Sequence, residues 1–335
     1  MNKTILKAEN QEAEYALFPL KYEWTWGSYK AMIANFWTPE EISMAPDLQD
    51  WHTNKLTEAE RHMFLSVFAQ VTTFDLLRTA DLAQQLIPHL HAPELIHVLT
   101  VQAMQECLHT HSYQHVIETL GLDQQDIYQR YKTVPALANR VTLTEKLSSV
   151  FGPDNRAGIL RGLIHSYCVF EGVWFTMNLL GPIQSLARRG LMRGTAEQFQ
   201  YIGRDEQSHV AIGLNLIRDF IREYPETWNG DTKAAVIEDT KETLALEDDF
   251  IDYALPQPIL GYNADDHKAT ARHYAERWLG RIGLEVDLGG EHRLGWMDEM
   301  VATKKEKNFF ETRVTEYQVG SLKFDDDEDD EWRMK

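Results

Sequence analysis

Cysteine is scarce in this chain. Only two of its 335 residues are cysteines, Cys107 and Cys168, and both fall in apolar stretches with helical periodicity. Two separated cysteines in such surroundings argue against a disulfide framework and favour the reducing cytoplasm as the compartment. The N-terminal stretch MNKTILKAEN is too short and too polar to act as a secretory signal peptide.

Excess positive charge and long uninterrupted apolar runs are also missing. The chain carries 33 Lys and Arg against 52 Asp and Glu, a formal net charge of −19, which argues against a nucleic-acid-binding surface. The best candidate for a membrane span, residues 163–183, contains His165, Glu171 and Asn178. Because a charged group in the middle of a span is costly in lipid, we expect a buried helix of a water-soluble bundle here and no membrane partner.

The alternation of apolar and polar residues that marks β-strands is scarce, whereas helical periodicity runs through the chain. The first helix start signalled by the sequence is FWTPEEI at 36–42, where Thr38 can cap, Pro39 fits the first turn and Glu41 completes a capping box. Gly181-Pro182 is expected to kink or interrupt a later helix. The further helices are predicted over residues 57–86, 93–120, 156–189, 195–223, 231–255 and 266–281.

These patterns predict an all-α fold, an extended helical bundle that forms a single domain over residues 1–303. From about Lys304 the composition changes, and the run DDDEDDE near the end of the sequence cannot pack into a core. Residues 304–335 are therefore predicted to form a flexible acidic tail.

Glu-x-x-His occurs three times, although about one match is expected by chance. Residues three apart lie on one face of a helix, so both side chains can reach the same metal ion. The twelve positions from Glu94 to Glu106 correspond to about 120° of helix rotation, so these two motifs face different ways. Glu94 also follows Pro93 at a helix start, where a glutamate stabilises the helix dipole, and we interpret its motif as unrelated to a metal site. The three motifs are Glu94/His97, Glu106/His109 and Glu206/His209.

A four-helix bundle of the ferritin-like di-iron type takes one Glu-x-x-His from each of two helices and one carboxylate from each of the other two. Glu171 is the only acid in the apolar stretch 157–189, and Asp75 and Asp81 both qualify on the helix 57–86. Unpaired burial of carboxylates is expensive, and divalent cations would neutralise them. The sequence predicts a dimetal site in the four-helix core and leaves the choice between Asp75 and Asp81 open.

Tyr113 lies seven residues after Glu106 and four after His109, and so on the same helix face. The corresponding position after Glu206 is Gly213, which makes the site asymmetric. A phenol at this position can serve as a redox group beside a metal ion or pack as an ordinary core tyrosine, and spacing alone leaves both open. An apolar shell at helical spacing is expected to exclude water from the same interior: Phe175, Leu179 and Ile202.

Six segments, taken in order, resemble one known family over nearly the whole chain. They are similar to the small, radical-generating subunit of class I ribonucleotide reductase. The segments are FWTPEEI (36–42), TTFDLLRTAD (72–81), QECLHTHSYQH (105–115), FEGVWF (170–175), GRDEQSH (203–209) and NFFETRVTEYQ (308–318).

The resemblance implies a role for each residue of the site. In this family oxygen and reduced metal ions generate an oxidant, and the common form stores it as a tyrosyl radical, which here would be on Tyr113. The oxidising equivalent would leave through Asp205, beside His109, and through Trp37, and Tyr317 would relay it to the large subunit. The six metal ligands implied by the resemblance, which selects Asp75 over Asp81, are Asp75, Glu106, His109, Glu171, Glu206 and His209.

The resemblance also implies an enzyme that is active only with its large catalytic subunit, on which the end of the tail would dock, and a symmetric homodimer. The metal pair is expected to be di-iron, with manganese–iron and dimanganese as alternatives, because carboxylate-rich sites suit both metals. The chain has two scattered cysteines and no Gly-rich phosphate loop, so it is expected not to bind or reduce a nucleotide alone.

Two features depart from the family. The segment between Glu171 and Arg204 is one residue longer, which with Gly181-Pro182 predicts a bulged or broken helix. The ending FDDDEDDEWRMK leaves open whether Phe324 or Trp332 anchors docking.

Two other functions are compatible with a dimetal bundle. One is a ligand-binding oxidase with a manganese–iron site. Tyr113 and the acidic, aromatic tail argue against this function. The other is a ferritin-like iron store, which would be built from shorter chains and would lack Trp37, Asp205 and the tail.

Overall fold

Twelve α-helices make up most of the computed structural model, which describes residues 3–149 and 155–298. In chain order they are α1 (Trp24–Ala34), α2 (Ala45–His52), α3 (Glu58–Ala80), α4 (Pro93–Leu120), α5 (Gln124–Thr133), α6 (Pro135–Ser148), α7 (Arg156–Ile164), α8 (Thr176–Leu180), α9 (Pro182–Ala187), α10 (Arg193–Glu223), α11 (Gly230–Ala254) and α12 (Ala264–Arg281). Two π-helical segments extend α3 and link α7 to α8: Asp81–Leu86 and His165–Phe175. Within the described ranges the only extended pairings are isolated bridges from Leu6 to Leu90 and from Ile259 to Tyr262.

Local sequence signals fix the ends of the long helices. Thr57 caps α3 through a capping box, since its hydroxyl accepts from the Glu60 amide and the Glu60 carboxylate accepts from the Thr57 amide. Pro93 starts α4, and Gly121, with φ of 66°, ends it in the left-handed conformation. Asn229 and Asn263 cap α11 and α12 with their side-chain oxygens.

Four helical rods enclose the centre of the molecule. Helix α3 packs along α4, α10 packs along both α4 and the π segment His165–Phe175, and α8 closes the ring against α3. The remaining helices cover this bundle, with α1 on α4, α11 and α12 on the π segment, and α5 and α6 beside α3 and α11. The all-α prediction is confirmed, and no helix of the described residues is both long and apolar enough to span a membrane.

The prediction for residues 36–42 is confirmed only in part, because a helical turn begins at Pro39 but the Thr38 side chain does not cap it. The segment makes only one 3₁₀ turn, Pro39–Glu41, and Ile42 is extended. The chain becomes helical again at α2, where Pro46 occupies the first turn. Helices α1, α2, α5 and α6 were not predicted from the sequence.

The predicted interruption of the helix 156–189 is confirmed at Gly181, with φ of −69° and ψ of −80°. A side chain there would collide with the Tyr262 hydroxyl and the Met177 carbonyl, at 2.2 and 2.5 Å from the added Cβ. The same rod contains the π segment His165–Phe175, so it is bulged as well as broken. The predicted tail, residues 304–335, and Tyr317 within it lie outside the described residues.

Candidate metal centre

The carboxylate and imidazole side chains singled out in the sequence meet at the centre of the four-helix bundle. Two overlapping groups each offer ligand atoms that lie within 4.8 Å of one another, and every member is buried. Glu106 and Glu206 belong to both groups. The first group is Asp75, Glu106, His109 and Glu206, and the second is Glu106, Glu171, Glu206 and His209.

Glu106 and Glu206 lie between the two histidines. His109 Nδ1 is 3.1 Å from Glu206 Oε1 and 3.4 Å from Glu106 Oε2. His209 Nδ1 is 3.2 Å from Glu106 Oε1 and 3.3 Å from Glu206 Oε2. Two glutamates shared by two histidines fit the ligand pattern of a bundle that would hold a pair of metal ions.

Asp75 and Asp81 have different surroundings. Asp75 on α3 belongs to the cluster. Asp81 begins the π turn after α3, and its carboxylate accepts a hydrogen bond of 2.6 Å from the Ser148 hydroxyl. The structure therefore places Asp75, and not Asp81, with the other five side chains.

The cluster has more negative charge than the protein groups around it can satisfy. Burial raises the pKa of Asp75 well above its ordinary value, against the effect of His109. Burial opposes a charge on His209, but Glu106 and Glu206 outweigh it and raise the pKa of His209 to about 10. Both oxygens of Asp75 and Oε2 of Glu171 have no hydrogen-bond partner among the described residues, and both oxygens of Glu106 and Oε1 of Glu206 contact only the two histidines. Because buried polar atoms are normally paired, these oxygens and the Nδ1 atoms fit two cations with N and O ligands.

The π segment gives Glu171 its place in the cluster. Two of its carbonyls accept hydrogen bonds from side chains, one of them on another helix: Trp278 Nε1 donates to Gly172 O at 2.9 Å. Asn178 Nδ2 donates to Trp174 O at 2.7 Å. These contacts hold the backbone that directly follows Glu171, and the contact from Trp278 cannot be read from the local sequence.

A hydrogen-bonded chain leads from His109 towards the outside of the bundle. His109 Nε2 lies 3.5 Å from Asp205 Oδ2, and Trp37 Nε1 donates to the same oxygen at 2.9 Å. Arg204 donates to the other oxygen of Asp205. Tyr201 stacks on the Trp37 ring with centroids 5.3 Å apart. This contact was not predicted from the sequence. The structure thus brings Trp37 and Asp205 together at the His109 side of the cluster.

Tyr113 lies in a closed aromatic pocket beside the Asp75 half of the cluster. Its side chain is fully buried, and its hydroxyl has no hydrogen-bond partner among the described residues. Burial, followed by the charge of Asp75, raises the pKa of Tyr113 well above its ordinary value. Phe68 and Phe199 pack edge-on against its ring. Both were missed, although each lies seven residues before an acid of the cluster, Asp75 or Glu206, and therefore on the same helix stripe.

Three further neighbours were not foreseen. Arg78 Nε donates to Glu171 Oε1 at 2.5 Å, and Gln102 Nε2 donates to the same oxygen at 2.9 Å. The Tyr167 hydroxyl donates to Gln102 Oε1 at 3.0 Å. Arg78 follows Asp75 by three positions and Gln102 precedes Glu106 by four, so helix spacing could have indicated both.

The remaining expectations concern the apolar shell and the first Glu-x-x-His motif. Phe175, Leu179 and Ile202 are all buried. Glu94 pairs with Lys3 at 2.9 Å, and the exposed His97 stacks on Tyr29, so neither belongs to the two ligand groups.

Comparison with known proteins identifies the family. The family model for the ribonucleotide reductase small chain matches residues 14–287. The chain belongs to this family. It is 33% identical over 318 residues to the ribonucleoside-diphosphate reductase subunit beta of Chlamydia pneumoniae, covering 92% of each chain.

Solved structures show the same fold. A ribonucleotide reductase R2 subunit from Clostridium botulinum matches with a TM-score of 0.82 and 24% identity, over 89% of this chain and 94% of that one. Dimanganese(II)-NrdF from Streptococcus sanguinis matches with a TM-score of 0.75 and 16% identity, over 87% of this chain and all of that one. The ferritin-like bundle and the resemblance to the small subunit of class I ribonucleotide reductase are confirmed. Neither the oxidase nor the iron store is favoured.

Proposed function

We propose that the cluster binds two metal ions and that the chain, as a ribonucleotide reductase small subunit, uses them to oxidise Tyr113. The observation that carries this proposal is the pair of ligand groups sharing Glu106 and Glu206, with buried oxygens that lack partners. Asp75, Glu106, His109, Glu171, Glu206 and His209 would hold the ions. When bound, the metal pair supplies one-electron oxidising power drawn from oxygen.

The protein groups around Tyr113 suit the storage of an oxidised tyrosine. Asp75 is the acid that acts most strongly on the Tyr113 hydroxyl, and once a bound metal ion keeps it ionised its carboxylate would take the phenolic proton when the ring loses an electron. Phe68 and Phe199 cover the ring and keep water away from it. A buried ring without a neighbouring donor would hold its oxidised state until an electron arrives.

Transfer to the large subunit would use the chain of hydrogen bonds at His109. Trp37 and Asp205 share a hydrogen bond of 2.9 Å, so an electron and a proton can move together along this route. Tyr317 would continue the route, and the tail, residues 304–335, would dock on the large subunit. A single domain over residues 1–303, a homodimer and a cytoplasmic location complete this proposal.

For the metals we propose di-iron first, since Tyr113 suits an iron-generated tyrosyl radical. Manganese–iron and dimanganese are the alternatives, and the Streptococcus sanguinis relative of the same fold carries dimanganese(II). Carboxylate and imidazole ligands accept both elements, so ligand type does not decide between them.

Metal analysis and electron paramagnetic resonance on the oxygen-activated protein test the proposal. We expect two metal ions per chain and a tyrosyl signal that disappears in Tyr113→Phe. Tyr262→Phe is the matched control, because this buried tyrosine bonds to His267 outside the two ligand groups and its loss should leave the signal. A high-valent manganese signal that survives Tyr113→Phe would refute the tyrosyl form.

A second measurement tests the route and the partner. Trp37→Phe removes the indole donor to Asp205, so metal binding should persist while nucleotide reduction with the cognate large subunit falls by about 10²-fold or more. No nucleotide reduction by the wild-type pair would contradict the proposed function as a whole.

A further inference from the structure

A buried arginine next to a proposed metal ligand needs an explanation. Arg78 is 3% exposed, and its Nε donates to Glu171 Oε1 at 2.5 Å. A guanidinium is always charged, and it repels a metal ion placed nearby. A cation at this position therefore opposes the binding that the rest of the cluster favours.

The two outer carboxylates of the cluster differ in how many oxygens they can offer. Glu171 Oε1 accepts from Arg78 and also from Gln102 Nε2 at 2.9 Å, while Oε2 has no partner. Both oxygens of Asp75 are without a partner among the described residues. Asp75 can thus bind an ion through either oxygen or both, whereas Glu171 has one oxygen available.

The structure holds Arg78 firmly against Glu171. The guanidinium carbon lies 4.5 Å from the centroid of the Tyr167 ring, and the Tyr167 hydroxyl bonds to Gln102, the second donor to Glu171. The Tyr167 ring occupies the space beside Gly213, where an added Cβ would be only 1.9 Å from Tyr167 Cγ.

This packing explains the asymmetry noted in the sequence. Gly213 follows Glu206 by seven residues, as Tyr113 follows Glu106. At Gly213 the helix carries no side chain, and Tyr167 enters from the π segment to fill the gap. One half of the cluster therefore has a tyrosine on its own helix, and the other half has a tyrosine that supports an arginine.

We propose that Arg78 is a positioning residue that restricts Glu171 to a single metal-binding oxygen, Oε2, and so makes the two metal positions unequal. This inference rests on the proposed dimetal site. A charge-assisted hydrogen bond occupies Oε1 and orients the carboxylate, as partners of metal ligands commonly do. The position near Asp75 then has more oxygen ligands and no adjacent arginine.

The balance of charge predicts an order in which the two metal ions bind. Four carboxylates neutralise two divalent cations, and Arg78 adds one positive charge on the Glu171 side. The ion at that side is held by fewer oxygens and is repelled by the guanidinium. It should bind second and more weakly than the ion near Asp75.

Mn(II) titration of the metal-free protein, followed by electron paramagnetic resonance, and a crystal structure of the Mn(II)-loaded protein test the inference. The wild type should bind two ions in separate steps, with Glu171 attached through Oε2 and Arg78 still on Oε1. In Arg78→Met both Glu171 oxygens should reach the metal, and the second binding step should tighten about tenfold, a typical effect of one nearby charge. Arg78→Lys keeps the charge, so the Glu171 binding mode and the affinity of the second step should stay close to those of the wild type.

Arg140→Met is the matched control, because Arg140 is an equally buried arginine whose carboxylate partner, Glu247, lies outside the two ligand groups. Arg140→Met should lower the free energy of unfolding without changing the two Mn(II) binding steps.

The inference is overturned if Glu171 binds the metal through both oxygens in the wild type, or if Arg78→Met leaves the affinity of the second binding step unchanged. Should Arg78→Met fail to fold, the loaded wild-type structure still decides the Glu171 geometry. A wild type that binds no Mn(II) would contradict the proposed function, whereas two equal binding steps would contradict this inference alone.

Discussion

Two clusters of charged side chains are buried in the same core, and they are built differently. In the second cluster, the Arg140 network, Arg140 Nη2 lies 2.6 Å from Glu247 Oε2 and His267 Nε2 lies 2.6 Å from Glu247 Oε1. Asn178 Nδ2 donates to that second oxygen at 3.2 Å, and Gln70 accepts from Arg140 at 3.0 Å. Both Glu247 oxygens therefore have protein partners, whereas both oxygens of Asp75 and Oε2 of Glu171 have no hydrogen-bond partner among the described residues.

The electrostatics of one carboxylate in each cluster show the same contrast. Burial alone would raise the pKa of Glu247, but Arg140 and His267 outweigh it and hold that pKa below its ordinary value. Burial raises the pKa of Asp75 well above its ordinary value. Equal burial thus has opposite outcomes for these two carboxylates, because Glu247 is bonded to Arg140 and His267 and Asp75 has no such bond. In the Arg140 network each charge is offset within the protein, whereas a buried carboxylate without a bonded counter-charge calls for a cation from outside.

The largest effect should come from removing a shared ligand of the metal cluster. Glu106→Ala deletes a carboxylate that belongs to both ligand groups, so both metal ions should be lost and nucleotide reduction should fall by more than about 10²-fold. Metal content per chain measures the first effect. Glu94→Ala, in the other Glu-x-x-His motif of α4, is the control and should keep both ions. Normal metal content in Glu106→Ala would show that this carboxylate is not needed for metal binding and would contradict the difference proposed between the two clusters.

The ligand set could be found from sequence because helix periodicity is local. Three-residue spacing places Glu106 with His109, and Glu206 with His209, on common faces. Helix spacing left the choice between Asp75 and Asp81 open; the family resemblance selected Asp75, and the fold gives the reason, since Asp81 turns away to Ser148 on α6. Such a contact joins residues far apart in the chain, and periodicity carries no information about it.

The ends of the long helices were predictable for the same local reason, and the π segments were not. Pro93 and Gly121 bound α4 where the sequence places them. The π segment His165–Phe175 depends on distant donors such as Trp278 on α12, so its residues alone do not reveal it. Arg78 had a signal, its spacing from Asp75, but a lone arginine on a helix is usually a surface residue.

The next effect in size tests the paired cluster. Glu247→Gln keeps the shape of the side chain but leaves the Arg140 charge buried without a counter-ion, so the free energy of unfolding should fall by about 3–5 kcal/mol. Urea denaturation measures this loss, and metal content should not change. The double variant Arg140→Met/Glu247→Leu should recover most of the stability, because it removes both charges. If the single and double variants lose equal free energy of unfolding, packing and not charge pairing accounts for the effect of this network on stability.

A smaller effect is expected where the metal cluster meets its supporting tyrosine. Gly213→Ala places a Cβ 1.9 Å from Tyr167 Cγ, so the ring must move, at a cost of about 1–3 kcal/mol in unfolding free energy. Gly27→Ala on α1 is the control, since nothing lies within 4 Å of its added Cβ and alanine favours a helix. Thermal unfolding of the two metal-free variants should separate them. Similar melting temperatures would mean that Tyr167 has room to shift.

The smallest effect is the pH dependence of the paired cluster. The pKa of Glu247 is lower in the folded protein than its ordinary value of 4.5, so the folded state favours the ionised form. The stability gained from ionisation is therefore present above about pH 4.5 and is lost as the pH falls through the folded pKa. Glutamine mimics the protonated acid, so the difference in unfolding free energy between the wild type and Glu247→Gln should be constant near neutral pH and narrow in acid. Urea denaturation of both proteins across this range measures it. A difference that widens in acid would mean that Glu247 is held protonated at neutral pH, as an unpaired buried acid would be, and the contrast between the two clusters would fail.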